Sequence, residues 1–190
     1  VPATIGNPTG NFTGIDATSH VAFYNSHDER RLAEHCLTEG RSSGSYDIKD
    51  SLIMFERVKL AAAFTYLQPG PKMIWQFDEL GYDIDINFNG RVGRKPYVWG
   101  NGSLGYYKST LRQNIYKTYQ GLLHIRNTIG ADVLLAAQKN HQQTGDTRRL
   151  SYNTPDIDLV VIGNFAMTEK TIDPKFTQTG WWYNYFSGDS

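Results

Sequence analysis

A chain of 190 residues with 39% hydrophobic and 13% aromatic content can bury a sizeable core, which excludes an intrinsically disordered reading. Nineteen basic side chains balance 19 acidic ones and the charges are dispersed, so there is no electrostatic footprint for nucleic acid or an anionic membrane. The longest apolar stretches, 60–66 and 159–162, fall far short of the roughly 20 residues a membrane helix needs. Cys36 stands alone, which excludes an intrachain disulfide and a cysteine-based zinc site; it reads as a packed thiol and leaves the redox compartment open.

The chain starts at Val1 without a basic or apolar leader, so a signal peptide is expected to have been removed or never to have belonged to this piece. Residues 1–20, rich in Gly, Thr, Asn and Pro, read as loop. Val21-Ala22-Phe23-Tyr24-Asn25 is a bulky apolar run, as expected of a strand buried on both faces, and it delivers Ser26-His27-Asp28-Glu29 at its end. After a Gly/Ser-rich loop at 40–45, Asp50 or Ser51 is expected to cap a helix whose apolar residues cover most of its circumference. Gln68-Pro69-Gly70-Pro71 must end it, because proline supplies no amide hydrogen.

Lys72-Met73-Ile74-Trp75-Gln76 reads as a second buried strand, again followed by charge at Asp78 and Glu79. Strand, helix and strand in that order predict a βαβ unit with polar residues at both strand ends, the way α/β sheets and barrels build their sites. A long Gly-containing loop, 82–107, precedes an amphipathic helix from Ser109 to about Asn127, carried by Leu111, Ile115, Tyr119, Leu122 and Ile125. From residue 130 the texture predicts strands at 148–152, 158–165 and 179–186, a small antiparallel domain whose last aromatic run is expected to lack its hairpin partner.

His27-Asp28 is the sharpest local signal, since an imidazole beside a carboxylate suits acid/base work or hydrogen bonding to adjacent hydroxyls. The plainer alternative is an Asp that caps the next helix beside an exposed His. Asp85-Ile86-Asn87-Phe88-Asn89-Gly90 matches the opening of an EF-hand loop, but its twelfth position is Pro96 where a bidentate Glu is required. Asn11-Phe12-Thr13 and Asn101-Gly102-Ser103 are glycosylation sequons by pattern alone. Trp75, Trp99, Trp181 and Trp182 are candidates for stacking on sugar rings, with core packing the default expectation. No nucleophile elbow accompanies His27, which disfavours an unrelated α/β hydrolase.

Phe23-Tyr24-Asn25-Ser26-His27-Asp28 resembles the strand-seven motif of the alpha-amylase family of glycoside hydrolases, glycoside hydrolase family 13, which ends in Asn-His-Asp. Leu60-Ala61-Ala62-Ala63, Pro69-Gly70-Pro71-Lys72-Met73-Ile74-Trp75-Gln76 and Glu79-Leu80-Gly81-Tyr82 are similar to that family's seventh helix, eighth strand and following loop. Arg94-Lys95-Pro96-Tyr97-Val98-Trp99 resembles its Lys-Pro-x-x-Trp stretch, and the span 116–126 its eighth helix with a Leu-x-x-Leu-Arg ending. The resemblance continues through 159–165 and 180–186 into the family's β-domain, covering nearly the whole chain from residue 20. Ser26 departs from the usual Asn, and Phe77 stands where Gly often follows the eighth strand.

The resemblance implies an α/β fold: residues 1–129 as the C-terminal part, the last two βα units, of a (β/α)8 TIM barrel, and 130–190 as a partial antiparallel β-sandwich domain. It implies a retaining hydrolase or transglycosylase of α-1,4-glucans, exported from the cell by analogy, with calcium a feature of the parent enzyme and no cofactor needed within this chain. Asp28 would be the transition-state stabiliser, His27 a ligand of adjacent hydroxyls and Arg94 a contact to the neighbouring sugar. The motifs that supply such an enzyme's nucleophile and acid/base have no counterpart here, so the chain alone is expected to be inactive. It is then expected to pair with the missing part of the barrel or with itself. The alternative expectation is a non-catalytic glucan-binding or structural module.

Overall fold

A computed structural model describes residues 19–189; the Asn11 sequon lies outside them. Helix α1 (Leu32–Glu39) is followed by a minimal hairpin of β1 (Ser42–Ser43) and β2 (Tyr46–Asp47), then by helix α2 (Ser51–Tyr66). A single 3-10 turn at Asp78–Leu80 and another at Tyr106–Lys108 punctuate the long loop before α3 (Thr110–Ile129). Helix α4 (Ala131–Ala136) leads to a sheet in the order β3 (Gln138–Lys139), β4 (Thr147–Asn153) and β5 (Leu159–Asn164), antiparallel throughout.

Asp50 caps α2 by accepting hydrogen bonds from the amides of Leu52 and Ile53, which satisfies two of the donors a helix start leaves open. The other end of α2 is held from a distance: Arg126 of α3 donates to the carbonyls of Tyr66, Gln68 and Gly70, and Lys72 Nζ donates to those of Pro69 and Gly70 at 2.6 and 2.8 Å. Two cations thus sit where the helix dipole is negative. Burial, reinforced by the neighbouring Arg126, brings the Lys72 ammonium down to about 8.

Helix α2 serves two cores. Met54, Phe55, Val58, Ala62 and Tyr66 pack with Ala33 and Cys36 of α1 and with Ile115, Tyr119, Leu122 and Ile125 of α3. Phe64 turns the other way, onto Leu134 of α4 and Leu150 and Tyr152 of β4. Leu52, in the first turn, is exposed, so the apolar residues of α2 do not all face a core. Strand β5 lies close on α2 because Gly163 has no side chain: a Cβ there would come within 2.5 Å of Leu60 Cδ1 and 2.6 Å of Phe64 Cε2. Gly163→Ala is therefore expected to cost about 1–3 kcal/mol by overpacking, read by urea unfolding. A loss under a few tenths would show that α2 yields freely.

The two predicted buried strands run side by side, joined by a parallel bridge between Ala22 and Lys72 in which the Ala22 amide donates to Pro71 O (3.0 Å) and the Met73 amide to Ala22 O (3.1 Å). The described residues hold this bridge and no closed barrel, and Val21 and Phe23 are half exposed rather than buried, because no further strand flanks them there. Three other features depart from the sequence reading. The hairpin β1–β2 begins in the predicted 40–45 loop and runs past it to Asp47, with Gly44 in the left-handed region at its turn. The expected all-β segment from residue 130 begins with α4, since Gly130 stops α3 while Ala131-Asp132-Val133-Leu134-Leu135-Ala136 is good helix material with Leu134 buried. The predicted strand at 179–186 is a turn: Asn184 Oδ1 accepts from the Phe186 amide, and the Gly188 amide returns to Asn184 O. Its aromatic rings find partners without a ladder, Trp182 stacking on Phe176 and Phe186 seated over Gly121 of α3.

Candidate functional site

The chain leaves the first bridged segment through Asn25 and Ser26, both buried, and then exposes His27 and Asp28. Ser26 Oγ accepts the Asp28 amide at 3.0 Å and hydrogen bonds to Glu29, which makes the turn tight. Asn25 fixes it from below: its Oδ1 accepts the Leu32 amide at the start of α1 (2.9 Å) and its Nδ2 donates to Asp78 Oδ1 (2.8 Å). The second segment arrives alongside and places Trp75 against the same turn, its ring centroid 5.5 Å from that of His27.

His27 Nε2 lies 3.3 Å from Asp28 Oδ2, and the two side chains are 69% and 66% exposed, so both remain open to a ligand. A cleft of about 170 Å³ opens beside them, walled by Ser26, His27, Trp75, Tyr82, Ile86 and Arg91. Asp28 adjoins it, tied to three of those residues: besides Ser26 and His27, Arg91 Nη2 donates to Asp28 O at 2.7 Å and reaches Oδ1 at 3.5 Å. Arg94 lies elsewhere, exposed, with its guanidinium over the Tyr97 ring at 5.4 Å. The fold thus brings together His27 and Asp28 and adds Arg91, three residues before the arginine singled out in the sequence.

Behind the turn sits Asp78, which the sequence marked as charge after the second segment but not as a partner of this turn. Asp78 is 2% exposed; its Oδ1 accepts from Asn25 and from Arg31 Nη1 (3.2 Å), and its Oδ2 has no hydrogen-bond partner among the described residues. Burial pushes the Asp78 carboxyl up to about 6 against the opposing pull of Asn25 and Arg31. Arg31, lowered by its own burial, also donates to Gln76 O at 3.0 Å and lies over the rings of Trp75 and Tyr82. The hydroxyls of Tyr24 and Tyr119 share a hydrogen bond in the core below, and burial raises Tyr24, Tyr66 and Tyr119 alike.

The tryptophans do not enter the core as their default reading expects. Trp75 is half-buried beside His27, Trp99 is exposed and meets Phe77 edge-on, Trp182 is half-buried against Phe176, and Trp181 is 79% exposed. In the EF-hand-like loop the carbonyls of Phe88 and Gly90 point at the Lys95 ammonium, 2.8 and 2.6 Å away, while Asp85 Oδ1 accepts the Asn87 amide. Among the described residues no three His, Cys, Asp or Glu side chains are grouped to hold a metal. Lys95→Met strands those carbonyls and is expected to cost about 1–2 kcal/mol, with faster amide exchange confined to 85–95. Unchanged exchange would show that the loop closes without the ammonium.

Chemically, the rim offers an imidazole, a carboxylate and a guanidinium within reach of one another beside an indole face. That set suits a ligand with adjacent hydroxyls and an apolar ring face: charged groups accept and donate strong hydrogen bonds while the aromatic wall takes the flat side. The chain matches no protein-family model and no curated protein.

Proposed function

We propose that this chain is the C-terminal portion of an alpha-amylase-like retaining glycoside hydrolase or transglycosylase acting on α-1,4-glucans. The observation that carries the reading is the His27–Asp28 pair, presented at the end of a segment bridged in parallel to the one that delivers Trp75. Between the bridged segments run α1, the short hairpin and α2, the kind of helical crossover that a βα unit requires. In this reading residues 1–129 supply the last two βα units of the catalytic barrel and 130–190 part of a β-domain.

His27 and Asp28 would bind neighbouring hydroxyls of one sugar unit, with the Trp75 face beside it. An ionised hydrogen bond is roughly twice as strong as a neutral one, and Asp28 raises the rate only to the extent that its bond tightens as the ring flattens toward an oxocarbenium-like transition state. Retaining cleavage also needs a nucleophile and an acid/base, two carboxyl groups about 5–5.5 Å apart. These lie on the complementary part of the barrel in this reading, and calcium belongs to the parent enzyme. The chain's partners are then the α-glucan and that missing part, or a second copy. Exposed Trp99 and Trp181 favour a second reading, a non-catalytic glucan-binding module.

Reducing-sugar release from soluble starch, measured beside calorimetric titration with maltoheptaose, separates these readings. The expected result is no turnover, with binding weakened about tenfold by Asp28→Asn, the loss of one charge-assisted hydrogen bond. Turnover abolished by Asp28→Asn would mean a complete enzyme and overturn the fragment reading. Binding that ignores Asp28→Asn but disappears with Trp181→Ala would support the module instead. Failure of the unaltered chain to bind maltoheptaose would sink the glucan reading.

A further inference from the structure

We infer that Asp78 is a positioning residue, a buried carboxylate that brackets the turn carrying His27 and Asp28 and so sets their geometry toward the glucan; the inference rests on the function proposed above. One oxygen holds both ends of that turn. Asp78 Oδ1 accepts from Asn25 Nδ2 at 2.8 Å, two residues before His27, and from Arg31 Nη1 at 3.2 Å, three residues after Asp28. Asn25 passes the restraint to the first amide of α1, and Arg31 passes it to Gln76 O and to the Trp75 and Tyr82 rings that wall the cleft. The His27–Asp28 turn and the Trp75 and Tyr82 walls therefore connect to this carboxylate, which lies behind the cleft and does not line it.

Two further observations make a purely structural role a poor account. The backbone is strained to aim the carboxylate inward: Phe77, immediately before it, adopts φ 69, ψ 12, a left-handed conformation uncommon for an aromatic residue. The charge also works against the fold. A carboxyl raised by burial from 3.8 to about 6 is held ionised at neutral pH at a cost to stability, and that cost is relieved as pH falls from about 6 toward 4. Perturbed groups retained at such a cost cluster at functional sites. The groups that face Asp78 are Arg31 ahead of α1, Tyr24 on the first bridged segment, Tyr66 on α2, Tyr119 on α3 and Glu79 on its own turn. Of these Arg31 is the cation.

The test compares the unaltered chain with Asp78→Asn, measuring maltoheptaose affinity and melting temperature from pH 7.5 to 5. The expected result is about tenfold weaker binding by the variant at pH 7.5, an advantage for the unaltered chain that vanishes by pH 5 as Asp78 takes up its proton. Over the same interval the melting temperature of the unaltered chain should rise relative to the variant. A merely structural residue would move affinity and stability in the same sense. Equal affinities at pH 7.5 for a folded variant would overturn the proposal.

Should Asp78→Asn not fold, the unaltered chain decides alone: the Asn25 side-chain amide and the Asp28 backbone amide should shift with a common midpoint near pH 6 in heteronuclear spectra. Flat signals there would overturn the proposal. Shifts with that midpoint in a chain that binds no maltoheptaose would support the positioning role and refute the glucan reading.

Discussion

Arg112→Met is expected to be the most damaging single substitution in the chain, lowering stability by about 3–5 kcal/mol because it breaks a buried ion pair from one side. Arg112 is 9% exposed on the inner face of α3. Its Nη1 donates to the carbonyls of Leu80 and Gly81 at 2.9 and 2.6 Å, and its Nη2 to Asp83 Oδ2 at 2.8 Å. The guanidinium plane lies 3.5 Å from the centroid of Tyr106 and 4.7 Å from that of Phe55. Methionine keeps the apolar stem against Phe55 but leaves the part-buried Asp83 with Tyr106 as its remaining side-chain donor and strands two carbonyls.

Thermal unfolding should show a fall of about 10 °C, the conversion expected for a chain of this length. Adding Asp83→Asn to Arg112→Met should recover part of the loss, since the uncompensated carboxylate is removed. A loss below 1 kcal/mol, or no recovery in the double variant, would show that α3 is docked by its apolar face alone. The position matters beyond stability. Arg112 ties α3 to the turn after Asp78, so the same contact that docks the helix fixes the lower wall of the cleft.

Helices α2 and α3 were legible because their signals are local. Asp50 caps its own helix, Pro69 and Pro71 forbid continuation, and the apolar spacing from Leu111 to Ile125 is read within one window. Helix α1 carries no such mark: Arg31 at its start makes no side-chain cap, and the Leu32 amide is satisfied by Asn25, seven residues back across the His27–Asp28 turn. The site divides along the same line. His27 and Asp28 are adjacent and could be found as a pair, whereas Asp78 acquires its meaning from partners 53 and 47 residues away. Arg91 and Arg94 share one loop and one chemistry, so only the path of the chain after Gly90 decides which reaches Asp28. In the last segment a run of aromatic residues suggested a strand, but a strand exists only where another backbone offers its hydrogen bonds.

Acid should weaken the C-terminal sheet through His141, and replacing that residue should remove the effect. His141 Nδ1 accepts the Ser151 amide at 3.0 Å, and its ring meets Tyr152 edge-on at 4.8 Å. Burial first, then the nearby Lys139 and Arg149, push the imidazole down to about 4. A base depressed in the folded state stays neutral there while the unfolded chain takes up the proton at the ordinary value of 6.5. The stability it supports is therefore complete above pH 6.5 and is lost progressively as pH falls toward 4. Protonation would set an N–H against the Ser151 N–H, so the β4 hydrogen bond is lost and the cost of burying a charge is incurred in the same step.

The full shift corresponds to about 3 kcal/mol, and a half-buried ring in contact with solvent should deliver about 2 kcal/mol of it. His141→Asn retains an acceptor without a proton to bind, so urea unfolding should give an advantage for the unaltered chain that shrinks by about 2 kcal/mol between pH 7 and 4.5. An advantage constant with pH would mean that the imidazole is solvated and the sheet does not sense it. Asp78 titrates in the same interval with the opposite sign, gaining stability as it protonates. The net acid response is the difference of two opposed groups on separate cores, and Asp78→Asn should expose the whole of the His141 loss.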